Sequence, residues 1–245
     1  MDRRLIRERI SRLKKELKEV EQHRELIRTQ RKESHRKVAA LVGYTSAGKS
    51  SIENALTGAG ILEDAMLFST LDTTTRALEL GGKQTVLLTD TVGFIRKLPH
   101  HLVEAFKSTL EEAIYADIII HVVDASNPQM DTQMYVVYET LRQLGVKEKP
   151  IVTLFNKQDQ VETPGAFRDF QADYTVCTSA RTGEGLEELK QVLLEILRKD
   201  LVYVERLYPF PEAGKIQRIR EIGELLEEEY VPEGIQIKAY VPYGF

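Results

Sequence analysis

The sequence predicts an α/β fold: a doubly wound, mostly parallel sheet with helices on both faces. Three observations point there. From Val38 to about Leu197, short apolar β-branched runs alternate with longer stretches of helical periodicity. Polar loops rich in Asp, Asn, Thr and Ser follow the strand ends again and again. The first strand passes through a glycine-bounded turn straight into a helix.

That first strand is Val38-Ala39-Ala40-Leu41-Val42, and the turn is Gly43-Tyr44-Thr45-Ser46-Ala47-Gly48-Lys49-Ser50. The turn fits G-x-x-x-x-G-K-[ST], the signature of a P-loop NTPase. Ser51 to Leu56 reads as the first turns of the helix. A strand, a glycine-rich turn and a helix N-terminus together make a nest of backbone N–H groups that suits phosphate oxygens. Lys49 is expected to reach the β- and γ-phosphates, and the Ser50 hydroxyl to ligate Mg²⁺. Ser51 is counted among the nucleotide contacts.

Leu56 to Thr75 is rich in Thr, Gly and Asp and reads as a loop of the kind that orders around a γ-phosphate. A strand is expected at Ala77–Leu80, and another at Thr85–Thr89 ending in Asp90-Thr91-Val92-Gly93. Asp90 can hold Mg²⁺ through water, and Gly93 leaves its N–H free for a γ-phosphate. A helix over Leu102–Ala116, a strand over Ile118–Val123 and a helix over Asp131–Leu144 come next.

The strand Ile151–Phe155 runs into Asn156-Lys157-Gln158-Asp159, an N-K-x-D pattern. Asp159 can accept hydrogen bonds from the guanine N1–H and N2 amine. Adenine offers neither donor and would leave the carboxylate unpaired at a cost. The Lys157 stem can cover the base face while Asn156 ties the loop to the P-loop. Val176-Cys177-Thr178 then leads to Ser179-Ala180-Arg181, where the Ala180 N–H can meet guanine O6. The last helix of this region, Gly185–Arg198, follows a Thr182-Gly183-Glu184-Gly185 turn. Four elements in this order predict that the chain binds GTP or GDP.

The remaining parts are two. Leu201–Leu207 reads as a strand, Pro209-Phe210-Pro211 as a break, Gly214–Glu229 as a helix and Ile235–Val241 as a strand. The expectation is a small C-terminal β-α-β unit, and domains of 1–37, 38–200 and 201–245. Residues 1–37 carry 14 Lys+Arg against 7 Asp+Glu, a net of +7 in a chain whose net charge is −4. Ile6, Ile10, Leu13, Leu17, Val20 and Ile27 form a heptad-like seam, with Arg24 and Arg31 interrupting it. The segment reads as a long helix, either a solvated linker or a basic arm that meets RNA phosphates.

Composition suits a cytoplasmic enzyme. The chain has 245 residues, 42% of them hydrophobic, and one cysteine, Cys177, which excludes a disulfide framework. No apolar run approaches the roughly 20 residues of a membrane span, so no transmembrane segment is expected, and no secretory signal is visible. A monomer is expected, with a dimer through the N-terminal helix as the alternative.

Beyond the nucleotide motifs, Leu67-Phe68-Ser69-Thr70-Leu71-Asp72, the stretch from Asp90 through Phe94 to His100, and His121-Val122-Val123-Asp124-Ala125-Ser126 complete a pattern. With the Asp2–Arg36 helix and the Tyr230–Val241 tail, it resembles HflX, a ribosome-associated GTPase family of the Obg–HflX group. The resemblance implies a GTPase that uses Mg²⁺, binds the large ribosomal subunit and its RNA, and helps rescue or split stalled ribosomes. It makes Phe68 to Asp72 nucleotide contacts and Thr70 the switch threonine on Mg²⁺, with Thr74 as the alternative. Lys49, Thr70 and Gly93 are then the catalytic set. Family members usually carry an N-terminal domain before this helix, so the sequence resembles the family without it. They also carry Asn where this chain has Ser46, a position that helps hold K⁺ in related GTPases.

Many GTPases place a water-orienting Gln after the glycine equivalent to Gly93. Here that residue is Phe94, so slow intrinsic hydrolysis is expected, with His100, His101 and Arg96 as candidate polar helpers. Two functions remain open: a GTPase switch on the ribosome, or a nucleotide-stabilised ribosomal RNA-binding module with incidental hydrolysis.

Overall fold

The structure is a computed structural model that describes residues 36–58, 75–81, 84–94, 112–162 and 167–245. The chain divides into two units, Met1–Arg36 and Lys37–Phe245. All of the first except Arg36 lies outside the described residues, and with it the predicted N-terminal helix.

The second unit contains a six-stranded sheet. Its strands are β1 (Val38–Gly43), β2 (Thr75–Gly81), β3 (Gln84–Asp90), β4 (Ile118–Asp124), β5 (Ile151–Asn156) and β6 (Tyr174–Cys177), in the order β2-β3-β1-β4-β5-β6. β1 runs parallel to β3 and β4, and the β4–β5 and β5–β6 pairs are also parallel. Only β2 is antiparallel to its neighbour. With β3 on one side of β1 and β4 on the other, the chain reverses its direction of winding at β1. Such a reversal opens a crevice above the C-terminal strand ends.

Helices α1 (Lys49–Thr57), α2 (Met130–Gln143) and α3 (Leu186–Arg198) cover the two faces. Alternation along β1 assigns the faces: Ala39 and Leu41 pack with Ile52 and Leu56 of α1 and with Leu189 and Leu193 of α3. Val38, Ala40 and Val42 pack with Val137 and Leu141 of α2 and with Ala113 and Ala116. All seven residues of β4 are buried, as expected for a strand covered on both sides. Leu186, Leu189, Leu193 and Ile196 form one stripe on α3. Complete burial of each such leucine contributes about 1.5–3 kcal/mol. Of the predicted Leu102–Ala116 helix, only residues 112–116 are described; 112–115 are helical and Ala116 is not.

The C-terminal part corrects the predicted β-α-β unit. β7 (Leu201–Tyr208), a 3-10 turn at Phe210–Glu212 and α4 (Ala213–Ile222) are followed by two strands, β8 (Glu224–Val231) and β9 (Gly234–Pro242). They form an antiparallel sheet in the order β7-β9-β8. The helix expected to reach Glu229 stops at Ile222. Gly223 is extended there, and a Cβ on it would lie 2.3 Å from the Tyr240 carbonyl oxygen. Glu227-Glu228-Glu229 favours a helix locally. Pairing with β9 prevails, with Glu227 ion-paired to Lys238 at 2.7 Å and Glu228 to Arg220. α4 covers one face of this sheet through Ile216 and Ile219, against Ile235, Ile237 and Ala239.

Hydrogen bonds from two residues help join this sheet to the larger one. Arg198, at the end of α3, donates Nε and Nη2 to the two oxygens of buried Glu224 at 2.8 and 2.7 Å. Gln84, at the start of β3, donates to the Gly223 carbonyl at 2.9 Å.

Candidate nucleotide site

Every polar group of the predicted site that the structure describes gathers at the C-terminal strand ends. At the end of β1, a Cβ on Gly43 would fall 2.3 Å from the Val122 carbonyl oxygen, so only glycine fits beside β4. Ser46 and Gly48 adopt left-handed backbone (φ 62 and 95), which turns the loop back toward α1. The first-turn amides of α1 have no side-chain cap. A glycine-bounded turn that leads into a helix N-terminus is the fit a phosphate requires.

Lys49 folds back over this loop. Its Nζ donates to the Gly43 and Tyr44 carbonyls at 3.3 and 3.1 Å, and the residue is 6% exposed. Burial pulls its pKa down to about 8, against the opposing pull of Asp90. One residue on, Ser50 Oγ donates to Asp90 Oδ2 at 2.8 Å. A hydroxyl oxygen beside a carboxylate is a donor pair that suits Mg²⁺, which takes few protein ligands and keeps water and phosphate for the rest. Among the described residues there is no cluster of three or more His, Cys, Asp or Glu side chains able to hold a metal without such help.

The segment after β3 is pinned to the P-loop. Thr91 Oγ1 donates to the Leu41 carbonyl at 2.6 Å. The Phe94 N–H donates to Gly43 O at 3.0 Å, and the Thr45 N–H to Phe94 O at 2.9 Å. A Cβ on Gly93 would stand 2.8 Å from Thr45 Cα and 3.0 Å from Lys49 Nζ. Val92 is buried. The Phe94 ring is 1% exposed and packs in the core with Val42, Ala113 and Val137, so it faces away from the loop.

Asn156 joins three loops. Its Nδ2 donates to the Ala47 carbonyl and its Oδ1 accepts the Ala180 N–H, both at 3.0 Å. That amide, expected to face guanine O6, is thus directed at Asn156 here. Lys157 is left-handed (φ 65), and its Nζ donates to Asp124 Oδ2 at 2.7 Å. Asp159 accepts the Ser179 hydroxyl at 2.6 Å and pairs with Arg181 at 2.9 Å. The Ser179 bond first, and then Arg181, hold the Asp159 carboxyl below its ordinary range against the effect of burial.

Phe68, Ser69, Thr70, Leu71 and Asp72 lie outside the described residues, as do Thr74, Arg96, His100 and His101. Two polar residues that the sequence presents only within the His121–Ser126 stretch, with no role attached, also stand at the site. Asp124 ends β4 as Asp90 ends β3, and that shared position was the available signal. His121, on β4, is 1% exposed with a partnerless Nδ1 and meets the Tyr138 ring edge-on at 5.1 Å. Burial lowers its pKa to about 4.

The strand order and the glycine-bounded loop leading into α1 define a P-loop GTPase fold. Residues 38–157 match the family described as 50S ribosome-binding GTPase. The chain belongs to the HflX family of GTPases: it is 62% identical, over 99% of its length, to GTPase HflX of Lacrimispora saccharolytica. It is 36% identical, over 95% of its length, to GTPase HflX of Escherichia coli. It spans 57% and 55% of those two relatives, a little over half of each. A GTP-binding protein from the hyperthermophilic archaeon Sulfolobus solfataricus, solved in complex with GDP, is similar in structure. Its TM-score is 0.57 at 27% identity, covering 79% of this chain and 58% of that one.

Proposed function

We propose that this chain binds GTP and GDP with Mg²⁺, hydrolyses GTP slowly on its own, and works in the cytoplasm on the large ribosomal subunit. The observation that carries the nucleotide reading is the Asn156 bridge. One side chain bonds the phosphate loop at Ala47 and the third loop at Ala180, so base and phosphate recognition are built as one frame. Within it, Asp159 accepts from the guanine N1–H and N2 amine, and the Lys157 stem lies along the base.

On the phosphate side, the amides at the α1 N-terminus take the β-phosphate, and Lys49 transfers its donors from the loop carbonyls to the β- and γ-phosphates. Ser50 would hold Mg²⁺ directly, Asp90 through water, and Thr70 in the GTP state. The ion supplies charge neutralisation between the phosphates when bound. The Gly93 N–H stabilises the γ-phosphate. With Phe94 turned into the core, no side chain at that position orients the attacking water, which supports a low intrinsic rate. Membership in the HflX family and the match to a 50S ribosome-binding GTPase support the ribosomal partner. Among the described residues no helix is long and apolar enough to cross a membrane.

A second reading keeps the nucleotide as a structural ligand of a ribosomal RNA-binding module, and the net charge of +7 in residues 1–37 favours it. One experiment separates the two. GTP hydrolysis is followed with and without purified large subunits, in K⁺ and in Na⁺, for the wild type and Lys49→Ala. A switch shows stimulation by the subunit and GTP-selective binding that Lys49→Ala abolishes. Subunit binding that ignores nucleotide state and steepens at low salt establishes the module instead.

A further inference from the structure

β4 and β5 run side by side with Asp124 opposite Asn156, and the Ala125 N–H donates to the Asn156 carbonyl at 2.9 Å. The last residue of β4 therefore sits beside the start of the N-K-x-D loop. The two oxygens of Asp124 are divided between two tasks. Oδ1 accepts the Ser126 N–H at 3.0 Å and the Ser126 hydroxyl at 2.6 Å, which fixes the carboxylate on its own turn. Oδ2 accepts Lys157 Nζ at 2.7 Å. The pair is largely shielded, with side-chain exposures of 12% for Asp124 and 27% for Lys157.

Lys157 needs such a partner. Left-handed backbone is costly for a residue with a Cβ, and a free lysine stem samples many rotamers. A stem that must lie flat on a base gains affinity when it is ordered before the ligand arrives. We propose that Asp124, held by Ser126, is a positioning residue for base recognition: its carboxylate sets the Lys157 stem where it covers the guanine that Asp159 selects. This inference rests on the guanine-nucleotide reading above. Asp124 acts through Lys157 and does not touch the nucleotide.

The test is the dissociation rate of a fluorescent N-methylanthraniloyl-GDP from the full chain, by stopped flow, with displacement of the same probe by pyrophosphate. Asp124→Asn keeps an acceptor for Ser126 while removing the charge that holds Lys157. Lys157→Met keeps an apolar stem without the ammonium. Asp124→Asn is expected to speed dissociation roughly tenfold, since affinity changes of this kind fall mostly on the off-rate. In the Lys157→Met background, Asp124→Asn is expected to add nothing further. Pyrophosphate affinity should be retained, because the phosphate half of the site is untouched. An unchanged rate, an equal acceleration in the Lys157→Met background, or a matching loss of pyrophosphate affinity would each overturn the proposal. A wild-type chain that binds pyrophosphate but not GDP would instead remove the guanine reading on which it stands.

Discussion

A Cβ placed on Gly48 would lie 2.4 Å from Nδ2 of Asn156, so the turn into α1 and the N-K-x-D loop are in contact at the closest approach a backbone allows. The Asn156 side chain then satisfies the Ala47 carbonyl and the Ala180 N–H from the same amide. The two loops are 109 residues apart in sequence from Ala47 to Asn156, yet they share one set of hydrogen bonds.

Removing that amide should therefore damage both halves of the site. Asn156→Ala leaves a buried carbonyl and an amide without their partner, at about 1–3 kcal/mol for an unsatisfied buried group. Urea unfolding should show a loss of that order, and calorimetry should show GDP affinity lowered by well over tenfold. Gly48→Ala should weaken GDP more severely, because the added methyl meets the amide and the left-handed backbone (φ 95) adds strain. If Gly48→Ala binds GDP as the wild type does, the contact is not what forms the loop.

How much of this was readable beforehand depends on how local the cause is. The β1 run, the glycines at 43 and 48, Lys49 and the N-K-x-D tetrad are legible because spacing along the chain fixes their geometry. β8 reads as helix in the sequence because Glu227-Glu228-Glu229 is locally helical, whereas its strand pairing with β9 is tertiary. Asp124 has no legible role within its stretch for a similar reason: its partner Lys157 is 33 residues away, on the loop after the neighbouring strand. The direction of the Phe94 ring depends on which face of the sheet it meets, and sequence alone left that open.

Lys49 gives the site a pH signature. Burial sets its pKa in the free chain at about 8, below its ordinary value of 10.5. Bound phosphates would favour the ammonium and raise it again, so binding takes up a proton wherever the free lysine is partly neutral. GDP affinity should be level below pH 7 and fall as pH rises above about 8, approaching tenfold per unit until the pKa of the complex is reached. Calorimetry at pH 8.5 in buffers of different ionisation enthalpy should read this as proton uptake. Proton release, or affinity that is flat to pH 9.5, would show that Lys49 stays charged in the free chain.

His121 supplies a second, opposite window. Its folded pKa of about 4 lies below the ordinary 6.5, with burial as the first cause, Asp169 opposing and Lys49 reinforcing. The unfolded chain thus binds more protons than the folded one between those values. Stability falls as pH drops from 6.5 toward 4, and by the lower end this one group costs about 3 kcal/mol. The neighbouring Tyr138 hydroxyl is committed to Asp169 at 2.5 Å, and Thr153 bonds the same oxygen at 2.7 Å. His121→Leu should flatten the pH slope in that window whatever it does to stability at pH 7. An unaltered slope in urea titrations at pH 4.5, 5.5 and 6.5 would show that His121 does not govern it.

Phe94 decides what kind of residue could raise the hydrolysis rate. A glutamine at this position is the obvious restoration of a water-orienting side chain, but the ring it would replace is 1% exposed and packed against Val42, Ala113 and Val137. Its backbone is also tied on both sides, by the Phe94 N–H to Gly43 and by the Thr45 N–H to the Phe94 carbonyl, so the residue cannot turn outward without breaking the P-loop. Phe94→Gln would place an amide in a hydrophobic cluster and lose the ring's packing, a change of about 3–5 kcal/mol by analogy with large core truncations. The expected result is a clearly lowered midpoint in urea and no gain in single-turnover GTP hydrolysis per folded molecule. A faster rate from a stable Phe94→Gln variant would mean that this side chain reaches the γ-phosphate. With that route closed by packing, the polar group that orients water must come from elsewhere in the chain or from a bound partner.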